Sequence, residues 1–121
     1  MTVEVQPDPR PAPRIKDPDL LARLHRKWRT CAICGHGLEG GRLSLHHIHR
    51  HPRDDVQANL VMLCGSGTTG CHGEIEAHLP RASRALRILI DTRRHDVIEY
   101  LDAKLGGLDA ALGWLDRNVH P

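Results

Sequence analysis

The sequence predicts a small α+β domain, two short strands set among helices and closed by a cysteine-bound metal. Three observations predict it. Residues 42–48 alternate weakly and residues 60–63 form a short apolar run, the two patterns of short strands. Leu20, Leu21, Leu24 and Trp28 recur at helical spacing ahead of them, and further helical stretches follow residue 80. Four cysteines stand in two pairs, Cys31-x2-Cys34 and Cys64-x6-Cys71.

A staple is needed because the chain has little to pack. Its 121 residues make one domain plus tails. It has no Phe, one Tyr and two Trp, although 40% of its residues are hydrophobic. Small domains bury a smaller share of their surface and lean on cross-links or metals. The opening residues are polar and Pro-rich, with no apolar signal core, and no run of about 18 apolar residues exists. These features predict a cytoplasmic protein with no membrane partner. That setting favours thiolate–metal over disulfide. Four thiolates around Zn2+ leave no open position, which is a structural site. His36 could replace one cysteine as ligand.

Taken in order, residues 1–17 form a disordered Pro-rich arm holding Pro7, Pro9, Pro11 and Pro13. Asp17 or Asp19 caps a helix that begins near Pro18, because proline fits a first turn. Arg23, Arg26, Lys27 and Arg29 take its other positions, making it amphipathic and basic. Residues 30–41 are a Gly-rich turn around Cys31 and Cys34. A strand ends near His47, with Leu43 and Leu45 on one side and Ser44 and His46 on the other. A polar loop over 49–58 carries Pro52 and the acidic pair Asp54 and Asp55. After the strand 60–63, residues 65–70 are a Gly-rich loop. A helix runs from Cys71 to about Leu79, stopped by Pro80. Further helices cover 82–91, the Val97-Ile98-Leu101-Leu105 stretch, and the Leu108-Ala111-Leu112-Leu115 stretch after Gly106-Gly107. The expected organisation is an arm (1–17), a metal-stapled domain (18–80) and a helical C-terminal extension (81–121).

The net charge of +2 is unevenly spread. Residues 20–53 carry seven Lys or Arg against Glu39 alone, whereas 54–80 carry four acids and no Lys or Arg. Fourteen of the seventeen basic residues are Arg, whose fork suits phosphate. A solvated helix face explains the same bias, so charge alone only leans toward nucleic acid.

Histidine is dense: ten residues, with His46, His47, His49 and His51 inside six positions and His72 directly after Cys71. The cysteine pairs draw the first strand and the Cys71 helix together, so His46 and His72 can meet over one metal. The order Leu45-His46-His47-Ile48, Asn59-Leu60, Leu63-Cys64, Cys71-His72 resembles the HNH endonuclease family. The similarity covers residues 31 to about 78, and its small size and Cys-His helix look most like the bacteriophage enzymes. The resemblance implies a ββα-metal core, two strands and a helix around one divalent ion, with a four-cysteine zinc site beside it formed by Cys31, Cys34, Cys64 and Cys71. It implies hydrolysis of DNA phosphodiester bonds. His47 matches the general base, His46 and His72 match the metal ligands, and Asn59 matches a residue that holds the loop. Mg2+, Mn2+ or another divalent ion would serve the cutting site. Arg50 and Arg53 flank it and could grip the DNA backbone. A partner beyond DNA would be a phage packaging machine or another multiprotein assembly.

The sequence departs from that pattern in its x6 loop and in having Arg53, Asp54 and Asp55 where the family often carries a Gly-Gly. One turn beyond His72 stands Glu76, which could bind metal, pair with an arginine or face solvent; one of the last two is expected. His46 and His47 can share a site only if the strand bends at its end. His49 and His51 are loop histidines, either of which could touch phosphate. His25, His95 and His120 are expected at the surface. Trp28 and Trp114 are expected to pack between helices, and the C-terminal leucines to fill the core. The competing reading is a non-catalytic, zinc-dependent nucleic-acid-binding module.

Overall fold

The computed structural model describes residues 15–37, 42–50 and 53–119. The expectations for the arm before residue 15, and for Glu39, His51 and His120, lie outside the described residues.

Helix α1 spans Pro18–Lys27. The Asp17 carboxylate caps it, accepting from the amides of Asp19 (3.0 Å) and Leu20 (3.2 Å). Leu20 and Leu24 face the core, while Arg23, Arg26, Lys27 and Arg29 are exposed. Strands β1 (Leu43–His47) and β2 (Leu60–Cys64) pair antiparallel, from Leu43 opposite Cys64 to His47 opposite Leu60. Pairing extends past the strand end, where the Ile48 amide donates to the Asn59 carbonyl at 2.9 Å. Every residue from Leu60 to Leu63 is buried, so both faces of β2 are covered.

Helix α2 (Gly70–Glu76) follows and packs on β2. It ends earlier than expected. His78 adopts the left-handed conformation, φ 58°, and stops the helix two residues ahead of Pro80. Pro80 is then the first residue of α3 (Pro80–Thr92), where its missing amide costs nothing. A five-residue π-helical turn, Arg94–Ile98, leads into α4 (Glu99–Leu105), and α5 (Leu108–Asn118) follows Gly106 and Gly107.

These later helices share one hydrophobic core with the sheet. Leu86, Ile90, Val97, Leu101 and Leu115 belong to the same buried cluster as Leu24, Leu45 and Leu60. Polar ties reinforce the join. The Arg93 guanidinium donates to the carbonyls of Leu60 (2.8 Å) and Gln57 (3.1 Å) and lies 5.1 Å from the Trp28 ring centre. Asp54 accepts from the Tyr100 hydroxyl (2.5 Å) and pairs with Lys104 (2.8 Å), pinning the loop between the strands to α4. Leu108, expected in the core, is 41% exposed at the start of α5. No helix among the described residues is long and apolar enough to cross a membrane.

Candidate metal centres

Two clusters of metal-ligating side chains draw on the strands and on α2. The first is the cysteine set. The sulfurs of Cys31, Cys34, Cys64 and Cys71 all lie within 4.8 Å of one another. A tetrahedral Zn2+ with bonds of about 2.3 Å separates its sulfurs by about 3.8 Å, and Cys34 and Cys64 stand 3.6 Å apart. The four cysteines could therefore hold a metal ion such as zinc. The set is complete without His36, whose Nδ1 instead contacts Cys34 Sγ at 3.3 Å.

Backbone amides point at two of these sulfurs. The amides of Ile33 and Cys34 point at Cys31 Sγ (3.4 and 3.5 Å), and the Cys71 amide points at Cys64 Sγ (3.3 Å). Burial would raise the Cys31 thiol, but amides of Cys34, Cys64 and Ile33 outweigh it and bring it down to about 7. Burial and the neighbouring thiols push Cys71 the other way, well above its usual value. Four clustered thiolates repel one another, and a cation among them relieves that repulsion.

The x6 loop closes through two glycines. Gly65 and Gly70 have φ of 86° and 64°. A β-carbon on Gly65 would sit 2.1 Å from the Thr69 carbonyl oxygen, and one on Gly70 would sit 2.6 Å from that of Cys64. Only glycine permits this return, and it brings Cys71 back to Cys64.

The second cluster joins His46 of β1 to His72 and Glu76 of α2, whose donor atoms also lie within 4.8 Å of one another. His46 Nδ1 is 3.1 Å from Glu76 Oε2, and His72 Nε2 is 3.3 Å from the same oxygen. The two imidazoles meet edge to face, 5.3 Å between centres. Ser44 orients His72. Its single hydroxyl proton goes to the Gly65 carbonyl (2.7 Å), so it accepts from His72 Nδ1 at 2.6 Å. That leaves His72 Nε2 as the lone-pair nitrogen, facing Glu76, the orientation a metal ligand needs. Burial drives His46 down to about 4, the Glu76 contact only partly offsetting it, so its imidazole is neutral at pH 7. Burial would raise the Glu76 carboxyl, but the contacts with His46 and Arg50 outweigh it and hold it far below the usual carboxylate range. Two imidazoles and an ionised carboxylate on one point could bind a metal.

The other expected site residues fall as follows. His47 does not join the His46–His72 pair. The strand stays regular through its pairing with Leu60, and neighbouring residues face opposite ways. His47 is 1% exposed, and its Nε2 lies 2.9 Å from Asp55 Oδ1. An Nε2–H donating to that carboxylate leaves Nδ1 as the basic nitrogen, buried and with no hydrogen-bond partner. Asp55 is itself held by the Lys16 amide at 2.8 Å. Asn59 clamps the loop after β1: its Oδ1 accepts from the His49 amide (2.8 Å), and its Nδ2 donates to the carbonyls of His49 (2.9 Å) and Asp54 (3.0 Å). His49 is not an open loop residue; it is buried against Trp114, 5.0 Å between ring centres. Arg50 pairs with Glu76, and Arg53 is half-buried. A cleft of about 260 Å³ opens beside the cluster, lined by His46, Arg50 and Glu76 and by Ile48, Leu86 and Trp114 among others.

The contacts of Asp55 with His47 and of Ser44 with His72 carried no mark in the sequence, since they come from a loop closure and from the docking of α2. Glu76 did carry one, its spacing of one turn from His72. Comparison of the chain with family models, curated proteins and solved structures finds no match.

Proposed function

We propose that this protein is a metal-dependent endonuclease of the HNH type, hydrolysing DNA phosphodiester bonds. The observation that carries the reading is the meeting of His46, near the end of β1, with His72, at the start of α2. The consecutive order β1, β2, α2 supports a ββα-metal core around that meeting point.

His46 and His72 would hold the divalent cation, Mg2+, Mn2+ or another. Such a cation offsets charge on the phosphate and on the leaving 3′ oxygen. His47 takes the proton of the attacking water at Nδ1, because Asp55 occupies Nε2 and fixes the tautomer. Burial, only partly offset by Asp55, lowers the His47 pKa, so the ring is unprotonated at neutral pH and competent as a base. His47 stands at the end of β1, where the loop begins, and is 1% exposed. Asn59 holds the base of this loop, and Arg50 and Arg53 grip the DNA backbone. The exposed basic face of α1 adds sequence-independent attraction to phosphate. Cys31, Cys34, Cys64 and Cys71 bind the structural zinc. The setting we infer is cytoplasmic, a bacterial host cell for a phage-encoded chain, with a packaging machine or similar assembly as a further partner.

The burial of His47 also favours a second reading, a zinc-dependent nucleic-acid-binding module without catalysis. A plasmid-nicking assay separates the two. The zinc-loaded protein is expected to convert supercoiled plasmid to open circles with at least one of Mg2+, Mn2+, Ni2+ or Zn2+. Folded protein that binds DNA and never cuts, with any of these ions, would leave the binding module.

A further inference from the structure

One carboxylate oxygen serves two kinds of partner. Glu76 Oε2 faces His46 at 3.1 Å and His72 at 3.3 Å. The same oxygen accepts from the Arg50 guanidinium. A cation bound by the two imidazoles and Glu76 would sit against that guanidinium. Two cations on one half-buried carboxylate repel each other, and low local dielectric magnifies the repulsion. Arg50 has somewhere to go. It stands three residues beyond the end of β1, its side chain is 32% exposed, and it lines the same cleft as His46 and Glu76.

We propose that Arg50 competes with the metal for Glu76, and that a divalent cation ligated by His46, His72 and Glu76 displaces the guanidinium into the cleft, where it meets a phosphodiester anion. The inference rests on the metal site of the preceding reading but not on cleavage. Glu76 thereby becomes the third ligand, and Arg50 a contact that is made available when the metal is in place. Metal and anion then favour each other's binding, because each draws a partner away from the Arg50–Glu76 pair.

The test uses the full chain carrying one zinc, titrated with Mn2+ by calorimetry as wild type, Arg50→Met and Glu76→Gln. Zinc content and melting confirm that each variant is folded, and Arg50→Gln substitutes where Arg50→Met is not. Arg50→Met is expected to bind Mn2+ about 5-fold more tightly or better, the lower end of typical site coupling. Glu76→Gln is expected to bind it at least about 10-fold more weakly, having lost a charged ligand. An Arg50 variant that binds Mn2+ no more tightly than wild type overturns the competition. Failure of all three folded proteins to bind Mn2+ overturns the metal site itself, and the functional reading with it. Release into the cleft is read separately with a nuclease-resistant DNA duplex in Mn2+. The slope of log affinity against log salt should be steeper by about one for wild type than for Arg50→Met. Equal slopes overturn the release, and absence of DNA binding overturns the assigned function while leaving the Mn2+ result to decide the competition.

Discussion

His46 and His47 are neighbours in the chain with different carboxylate partners, Glu76 on α2 and Asp55 in the loop. Strand alternation alone separates them, and in the proposed function it divides metal holding from proton transfer between two side chains. His47 works as a base only unprotonated. Because burial lowers its pKa below the ordinary 6.5, cutting should fall only as the pH drops through that lower value. A pH–rate profile is therefore expected to show its acid limb below 6.5 in wild type. Asp55→Asn removes the partial offset, so the limb should move further to acid while the rate drops across the range. A wild-type limb above 6.5 would contradict this assignment. Asn59 carries a structural prediction. It is fully buried and satisfies three backbone groups on both sides of the loop. Asn59→Ala leaves those groups unpaired and should cost about 2–4 kcal/mol in urea unfolding.

At the scale of elements, the turns decide whether the chemistry assembles. The Cys64-x6-Cys71 loop returns on itself because Gly65 and Gly70 take conformations closed to other residues. Gly70→Ala would press a β-carbon into the Cys64 backbone, and Cys34→Ser removes a ligand outright. Both should release zinc to a chelator at lower concentration than wild type, with loss of helical circular dichroism, because zinc on these cysteines would supply folding energy. Retained helix and cooperative melting after chelation would count against a structural zinc. Much of this scale was legible beforehand. The Asp17 cap, β1 up to His47 and the breaks at residues 65–70 and 106–107 all rest on local residue chemistry. The end of α2 was not, because a left-handed His78 is not written in its residue type. Nor was the π-helical turn at Arg94–Ile98, which has no proline or glycine to mark it and buries Val97 and Ile98 in the core.

At the scale of the whole molecule, the helices after residue 80 complete the core around the sheet and help to wall the cleft beside the metal cluster. The cysteine spacing foretold that β1 and α2 would be drawn together, which brings His46 to His72. What joins Arg50 to Glu76, Asp55 to His47 and Arg93 to β2 is tertiary geometry, and residues 26, 8 and 33 positions apart show no pattern that announces it. The resulting molecule keeps its four-cysteine cluster and its proposed cutting centre on different side chains, so one can be removed without the other. The most direct measurement follows from that separation: DNA binding and plasmid nicking by zinc-loaded His47→Ala beside wild type, in the same metal. With His47 as general base, binding is expected to be unchanged and nicking slowed by about 10²–10⁴-fold, the usual contribution of such a group. Nicking at the wild-type rate by His47→Ala would contradict that role.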